Sequence, residues 1–134
     1  MTTAFPSITA TVAALLGLLA VFLTFRVIAL RVRFRVNAGD GGQAALAQAI
    51  RAHANLIELA PLALLLLAFV EWSIAWRGVI LVLGIALLVA RLASAWGLSH
   101  SLETGNARKL GAGLTSLVVV ACSVLILYRM LVVS

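Results

Sequence analysis

The chain has 134 residues, of which 64% are hydrophobic and only 10% charged. A soluble domain carries about a quarter charged residues, so most of this surface must meet something other than water, and a soluble globular fold is excluded. Ten Lys+Arg oppose four Asp+Glu, a net charge of +6; in so apolar a chain that excess reads as loop charge that sets membrane orientation and meets anionic lipid, and nucleic acid is excluded as a partner.

Residues 1–6 form an uncharged lead, and Ser7 or Thr9 after Pro6 marks a helix start. Residues 8–25 hold no charge, close to the ~20 residues needed to cross hydrocarbon. This run has no basic region before it and is longer than a signal-peptide core, so it reads as a retained span. The first span is expected over about residues 8–30. Arg26 is its deepest charge and is placed to snorkel. The alternation of Arg31, Arg33 and Arg35 is compatible with a strand; after a membrane span an emerging helix is the preferred reading, with nothing to break it before Gly39. The segment from Asn37 to Gly42 is a glycine-rich reversal, and Asp40 is expected to cap the next helix.

The second span is expected over about residues 44–70. Its opening part, Gln43 to Arg51, is amphipathic and suits the interface; Pro61 removes a backbone donor and predicts a kink. Glu71 to Arg77 is expected to be a tight turn whose Trp72 and Trp76 mark the far interface. A third span follows over about 78–98, then a polar loop from Ser99 to Lys109. The fourth span, about 110–130, ends in the interfacial pair Tyr128 and Arg129. These elements predict one membrane domain over residues 1–134, an all-α antiparallel four-helix bundle. Cys122 lies in an apolar run and reads as a buried inert thiol. His53 and His100 lack any ligand spacing, so no metal site is expected.

Basic residues set the orientation. The loops after the first and third spans share a side and carry Arg31, Arg33, Arg35, Arg108 and Lys109; the other side carries Arg77 and Arg129. The positive-inside rule places loops 1 and 3 in the cytoplasm and both termini on the opposite side.

The most costly residues open the second span. Arg51, Asn55 and Glu58 fall within an arc of about 60° on a helix, just before the apolar run from Leu62 to Val70. Ionisable groups entering hydrocarbon mark a site. Arg91, late in the third span, reaches a depth similar to that of Glu58, and Arg31 and Arg108 lie on the same side. Two readings stand. Glu58 pairs internally with Arg91 or Arg51 while Asn55 bridges helices. Alternatively, the arginines grip the carboxylates of an anionic ligand and Glu58 takes its ammonium group. His53 lies across the helix from Glu58 and reads as an interface histidine before a base.

The motif Arg51-x-His53-x-Asn55-x-x-Glu58-x-x-Pro61, early in the second of four spans, resembles the signature of the MAPEG family, the membrane-associated proteins of eicosanoid and glutathione metabolism. That family includes microsomal glutathione transferases, cysteinyl-leukotriene synthase and microsomal prostaglandin E synthase. The likeness covers the whole chain, and the short loops with the run from Pro61 to Leu67 look like its bacterial branch. The resemblance implies a homotrimer in a bacterial inner membrane, with glutathione as co-substrate held between subunits near the cytoplasmic face and an apolar small molecule entering from the lipid. It implies glutathione-binding roles for Arg31, Arg51, His53, Asn55, Glu58 and Arg91. Arg108 is the match to the arginine that stabilises the glutathione thiolate, a role that a neighbouring guanidinium performs by lowering the thiol pKa. Where family enzymes commonly carry tyrosines, this sequence has Leu59 and the stretch from Ser94 to Leu98. The expected function is conjugation of glutathione to apolar electrophiles or reduction of lipid hydroperoxides. A non-catalytic bundle that binds glutathione or lipid is the alternative. A small transporter or channel subunit ranks below both, since the sequence has neither interrupted helices nor paired repeats.

Overall fold

The computed structural model describes residues 5–74, 76–100 and 105–132. They form four helices: α1 (Ser7–Phe34), α2 (Ala44–Ser73), α3 (Arg77–His100) and α4 (Asn106–Val132). Each is long and apolar enough to cross a membrane. The reason is backbone chemistry: in hydrocarbon no water satisfies an open N–H or C=O, so an apolar run of this length must bond within itself. At ~1.5 Å per residue, the 28 residues of α1 and the 30 of α2 exceed a hydrocarbon core of about 30 Å. The basic end of α1, with Arg31 and Arg33 in its last turn, therefore projects into the interface.

The core is a seam of small and branched residues. α2 contributes Leu46, Ala49, Ala52, Leu56, Ala60, Ala63, Leu67 and Val70, the three-and-four spacing of one helix face. Four alanines in that row let neighbouring backbones approach, as membrane helix packing requires. α3 runs through the middle and buries Leu87, Ala90, Arg91, Ser94 and Leu98 along one stripe. α4 meets α3 most closely at Gly111, where a Cβ would stand 2.6 Å from the Ala90 carbonyl oxygen and 2.9 Å from the Ser94 nitrogen. Only glycine fits there. The outward faces carry Leu18, Phe22, Val82, Leu117 and Leu131, all exposed. They suit lipid contact.

Four local expectations change. α1 stops at Phe34, before Gly39, because Arg35 turns left-handed at φ 55°. The Val36 N–H then reaches the Arg31 carbonyl and the Arg35 N–H reaches Val32, which closes the helix end. Asp40 does not cap α2. Its carboxylate accepts from the Gly42 N–H at 2.9 Å, and its carbonyl accepts from Gln43 at 3.0 Å, so it folds the loop back on itself while Gln43 takes the cap position. Glu71 to Ser73 are still helical, and the connection to α3 is shorter than the expected turn. In the polar loop from Ser99 to Lys109, Ser99 and His100 finish α3 and Asn106 to Lys109 begin α4; residues 101–104 lie outside the described residues.

At the opposite end, the start of α1 has no side-chain cap of its own. Glu71 supplies it from α2. Its carboxylate accepts from the Ile8 N–H at 2.9 Å, the Thr9 N–H at 2.7 Å and the Thr9 hydroxyl at 2.7 Å. These are the donors that every helix leaves open in its first turn, and a negative charge complements the helix dipole there.

Candidate functional site

The row Arg51, Asn55, Glu58 lies on the flank of α2, and the boundary of the core divides it. Taking the buried Ala52 as the centre of the inward face, Asn55 lies about 60° from it, and Arg51 and Glu58 about 100–120°. Asn55 therefore turns inward and the two charged residues turn out. Arg51 Nη1 stands 3.9 Å from Glu58 Oε1, with the side chains 48% and 58% exposed. Of the two internal partners open to Glu58 from the sequence, Arg51 is the one it takes.

Arg91 occupies the centre of the bundle and is 1% exposed. Its guanidinium touches three helices. Nη1 donates to the Asn55 side-chain oxygen at 3.1 Å and to the Asn55 carbonyl at 3.3 Å. Nη2 donates to the Ser94 hydroxyl at 3.0 Å and to the Gly111 carbonyl at 3.3 Å. The Gly111 carbonyl also accepts from Thr115 Oγ1 at 2.8 Å. Arginine has only donors, so Asn55 must present its oxygen inward and its NH2 away from Arg91. The Arg91 Nε is buried and has no hydrogen-bond partner. Every acceptor on Arg91 is neutral. A cation held only by neutral oxygens in low dielectric makes its surroundings electropositive.

The remaining candidates Arg31, His53 and Arg108 lie on α1, α2 and α4. Arg31 is half-buried and donates to the Val36 carbonyl at 3.5 Å, which keeps it at the α1 end. His53 is half-buried on the flank of α2 opposite Arg51. Arg108 is half-buried in the first turn of α4. A Cβ at Gly97 would come within 3.1 Å of the Arg108 nitrogen, so the start of α4 lies directly on α3. The fold thus joins Arg91 with Asn55 and Arg51 with Glu58. Arg31 and His53 make no hydrogen bond to that row among the described residues.

Sequence reasoning missed two members. Ser94 follows Arg91 by one helical turn, a spacing that places both on one face, so a hydroxyl partner was visible in principle. Gly111 gave a weaker signal, since a glycine in an apolar helix fits many explanations. Beside them, Val89, Ala90, Ala93, Gly111, Leu114 and Leu117 border an almost wholly apolar groove of about 590 Å³ between α3 and α4.

Four long apolar helices around a buried arginine define an integral membrane helical bundle with a polar centre nearer one end. Residues 9–128 match the MAPEG family. Among curated relatives, the inner membrane protein YecN of Escherichia coli K12 is 39% identical over 95 residues, covering 71% of this chain and 72% of YecN. YecN of Escherichia coli O6:H1 matches to the same extent. The chain belongs to the MAPEG family.

Proposed function

We propose that the protein is a glutathione-dependent membrane enzyme. It conjugates glutathione to apolar electrophiles or reduces lipid hydroperoxides. The observation that carries this reading is the Arg51–Glu58 pair on an exposed face of a membrane helix, beside an asparagine held by a buried arginine. An outward ion pair in a span needs polar cover. A second copy of the chain and a zwitterionic peptide between the copies would supply it. Family membership supports a homotrimer. Inner-membrane placement follows YecN, whose name states that location. The excess of arginines near one end supports loops 1 and 3 in the cytoplasm and both termini across the membrane.

In this reading Arg51 and the electropositive centre around Arg91 hold the glutathione carboxylates, and Glu58 exchanges Arg51 for the ligand ammonium. The Asn55 NH2, left free by the Arg91 bond, donates to a peptide carbonyl. Arg31 and His53 contact the tripeptide from the adjacent subunit. Arg108 lies against the thiol and favours its thiolate. The thiolate sulfur attacks the electrophilic carbon, and the leaving group departs with the bonding electron pair. The apolar groove between α3 and α4 suits an electrophile arriving from the lipid.

Titration of the purified protein with glutathione tests the proposal. Binding below millimolar concentration is expected, together with an ultraviolet thiolate signal that Arg108→Ala removes. No binding at millimolar glutathione overturns it. Binding without turnover on a panel of electrophiles and peroxides would favour the non-catalytic bundle. That second reading draws on Leu59 and the stretch from Ser94 to Leu98, where family enzymes commonly carry tyrosines, and on the Ser94 hydroxyl being engaged by Arg91.

A further inference from the structure

A second cationic feature lies outside the α2 row, in a groove of about 390 Å³ between α1 and α3. Its walls are Phe22, Leu23, Leu92 and Trp96, and its mouth is Arg26 and His100. Phe22 and Trp96 are exposed, at 64% and 66%, so the groove opens to the side. The Trp96 and His100 rings stack at 4.2 Å, and His100 Nδ1 bonds the Trp96 carbonyl at 2.8 Å. Arg26 Nη2 donates to the Ser99 carbonyl at 3.2 Å. One end of the groove is thus polar and the rest is hydrocarbon.

Two facts point to the occupant. The first is depth. Arg26 lies about 28 Å along α1 from Ser7, and Ser99 about 33 Å along α3 from Arg77, at ~1.5 Å per residue. Hydrocarbon is about 30 Å thick. Arg26 and His100 therefore stand at headgroup level when the opposite helix ends stand at the other face. The second is charge. Arg26 makes one hydrogen bond, to a carbonyl, although a guanidinium carries five N–H donors. Of the four acids, Asp40 folds its loop, Glu58 pairs with Arg51, Glu71 caps the far end of α1, and Glu103 lies outside the described residues. No carboxylate among the described residues compensates Arg26.

We propose that the α1–α3 groove binds an anionic phospholipid, with its phosphate on the Arg26 guanidinium beside His100 and one acyl chain along Phe22, Leu23, Leu92 and Trp96. Guanidinium forks match phosphate oxygens. An apolar trough below a fixed cation distinguishes a lipid from a free anion. The site does not depend on the glutathione reading, since it shares no residue with the α2 row.

Trp96 reports on the groove directly. In a Trp72→Phe, Trp76→Phe background it is the only tryptophan of the three in the sequence. The protein is reconstituted in phosphatidylcholine bilayers containing brominated-chain phosphatidylglycerol or brominated-chain phosphatidylcholine. Quenching by the anionic lipid is expected at about five-fold lower mole fraction, the effect of one basic residue near an anionic headgroup. Arg26→Gln should abolish the difference and Arg26→Lys should keep most of it. Arg33→Gln removes the same charge from the exposed end of α1 and should leave the preference intact. Equal quenching by the two lipids in the parent protein overturns the proposal. So does a preference that survives Arg26→Gln, or one that Arg33→Gln reduces as much as Arg26→Gln. Added inorganic phosphate should not displace the preference; if millimolar phosphate erases it, the headgroup alone is recognised and the groove assignment fails.

Discussion

Glu58 and Glu71 lie on the same helix, and the structure uses them in opposite ways. Glu71 accepts three short hydrogen bonds from the first turn of α1, and a carboxylate so engaged has little left to offer a ligand. Glu58 has one loose contact at 3.9 Å and stays more than half exposed. The arginines divide in the same way. Arg91 is buried and spreads four donor contacts over neutral oxygens. Arg51 is on the surface and is easily drawn away. One end of α2 spends its charge on holding the bundle. The other keeps charge available, with a fixed electropositive centre behind it. Tight local satisfaction marks structure; in the proposed function the loose pair beside a rigid cation is where a ligand's charges are exchanged.

The contrast breaks most readily at Asn55. Asn55→Ala removes the side-chain acceptor of Arg91 Nη1 and leaves that donor only the backbone carbonyl at residue 55. A loss of about 2–3 kcal/mol in unfolding free energy is expected, the scale of a hydrogen bond to a charged group. Denaturant unfolding in detergent micelles measures it. Adding Arg91→Met should recover part of the loss, because the uncompensated cation goes too; a double-mutant cycle that is strictly additive would show that the two residues do not interact.

Gly111 comes next. Gly111→Ala places a Cβ against the Ala90 carbonyl and the Ser94 nitrogen, and overpacking of this kind costs about 1–3 kcal/mol. Gly113 is the matched control on the same helix, with nothing within 4 Å of its Cβ position. Gly113→Ala should change stability by under about 0.5 kcal/mol or raise it. Equal effects at the two glycines would mean that α4 does not approach α3 at Gly111. Glu71→Gln follows. It keeps one acceptor oxygen and loses the charge, at a cost of about 1–2 kcal/mol. Faster amide exchange at Ile8 and Thr9 should accompany it, and unchanged exchange there would show that Glu71 is not the cap.

Much of the fold was legible because lipid leaves apolar runs no alternative to helix, and because Trp72, Trp76 and the arginines punctuate those runs. The pairings were less legible. The arc shared by Arg51, Asn55 and Glu58 follows from the helical period alone, yet which of the three turns inward depends on where α3 and α4 lie. Glu71 and Thr9 are separated by nearly half the chain, and no local pattern announces that a glutamate between Val70 and Trp72 caps a distant helix. Arg35 is similar: nothing in its chemistry favours a left-handed turn, and the helix end is set by the loop that follows. Ser94 was legible from its spacing to Arg91, whereas Gly111 became visible as a partner only when Arg91 proved to lack a carboxylate.

The expected stability change at the exposed pair is also small, and there it separates structure from function. At 3.9 Å and about half exposed on the protomer, the pair contributes about 0–1 kcal/mol to the fold of a single chain. Glu58→Gln and Arg51→Gln should therefore leave unfolding nearly unchanged, unlike Glu71→Gln. In the proposed function they should each weaken glutathione binding at least about ten-fold, since a charged partner buried against a ligand is worth upwards of ~1.4 kcal/mol. The swap Arg51→Glu with Glu58→Arg is the sharper test. It restores the ion pair with its ends exchanged, so a structural pair would tolerate it. A ligand that needs its carboxylate and ammonium at fixed positions would not. Binding that survives the swap would make the pair a structural element and remove the observation on which the glutathione assignment rests.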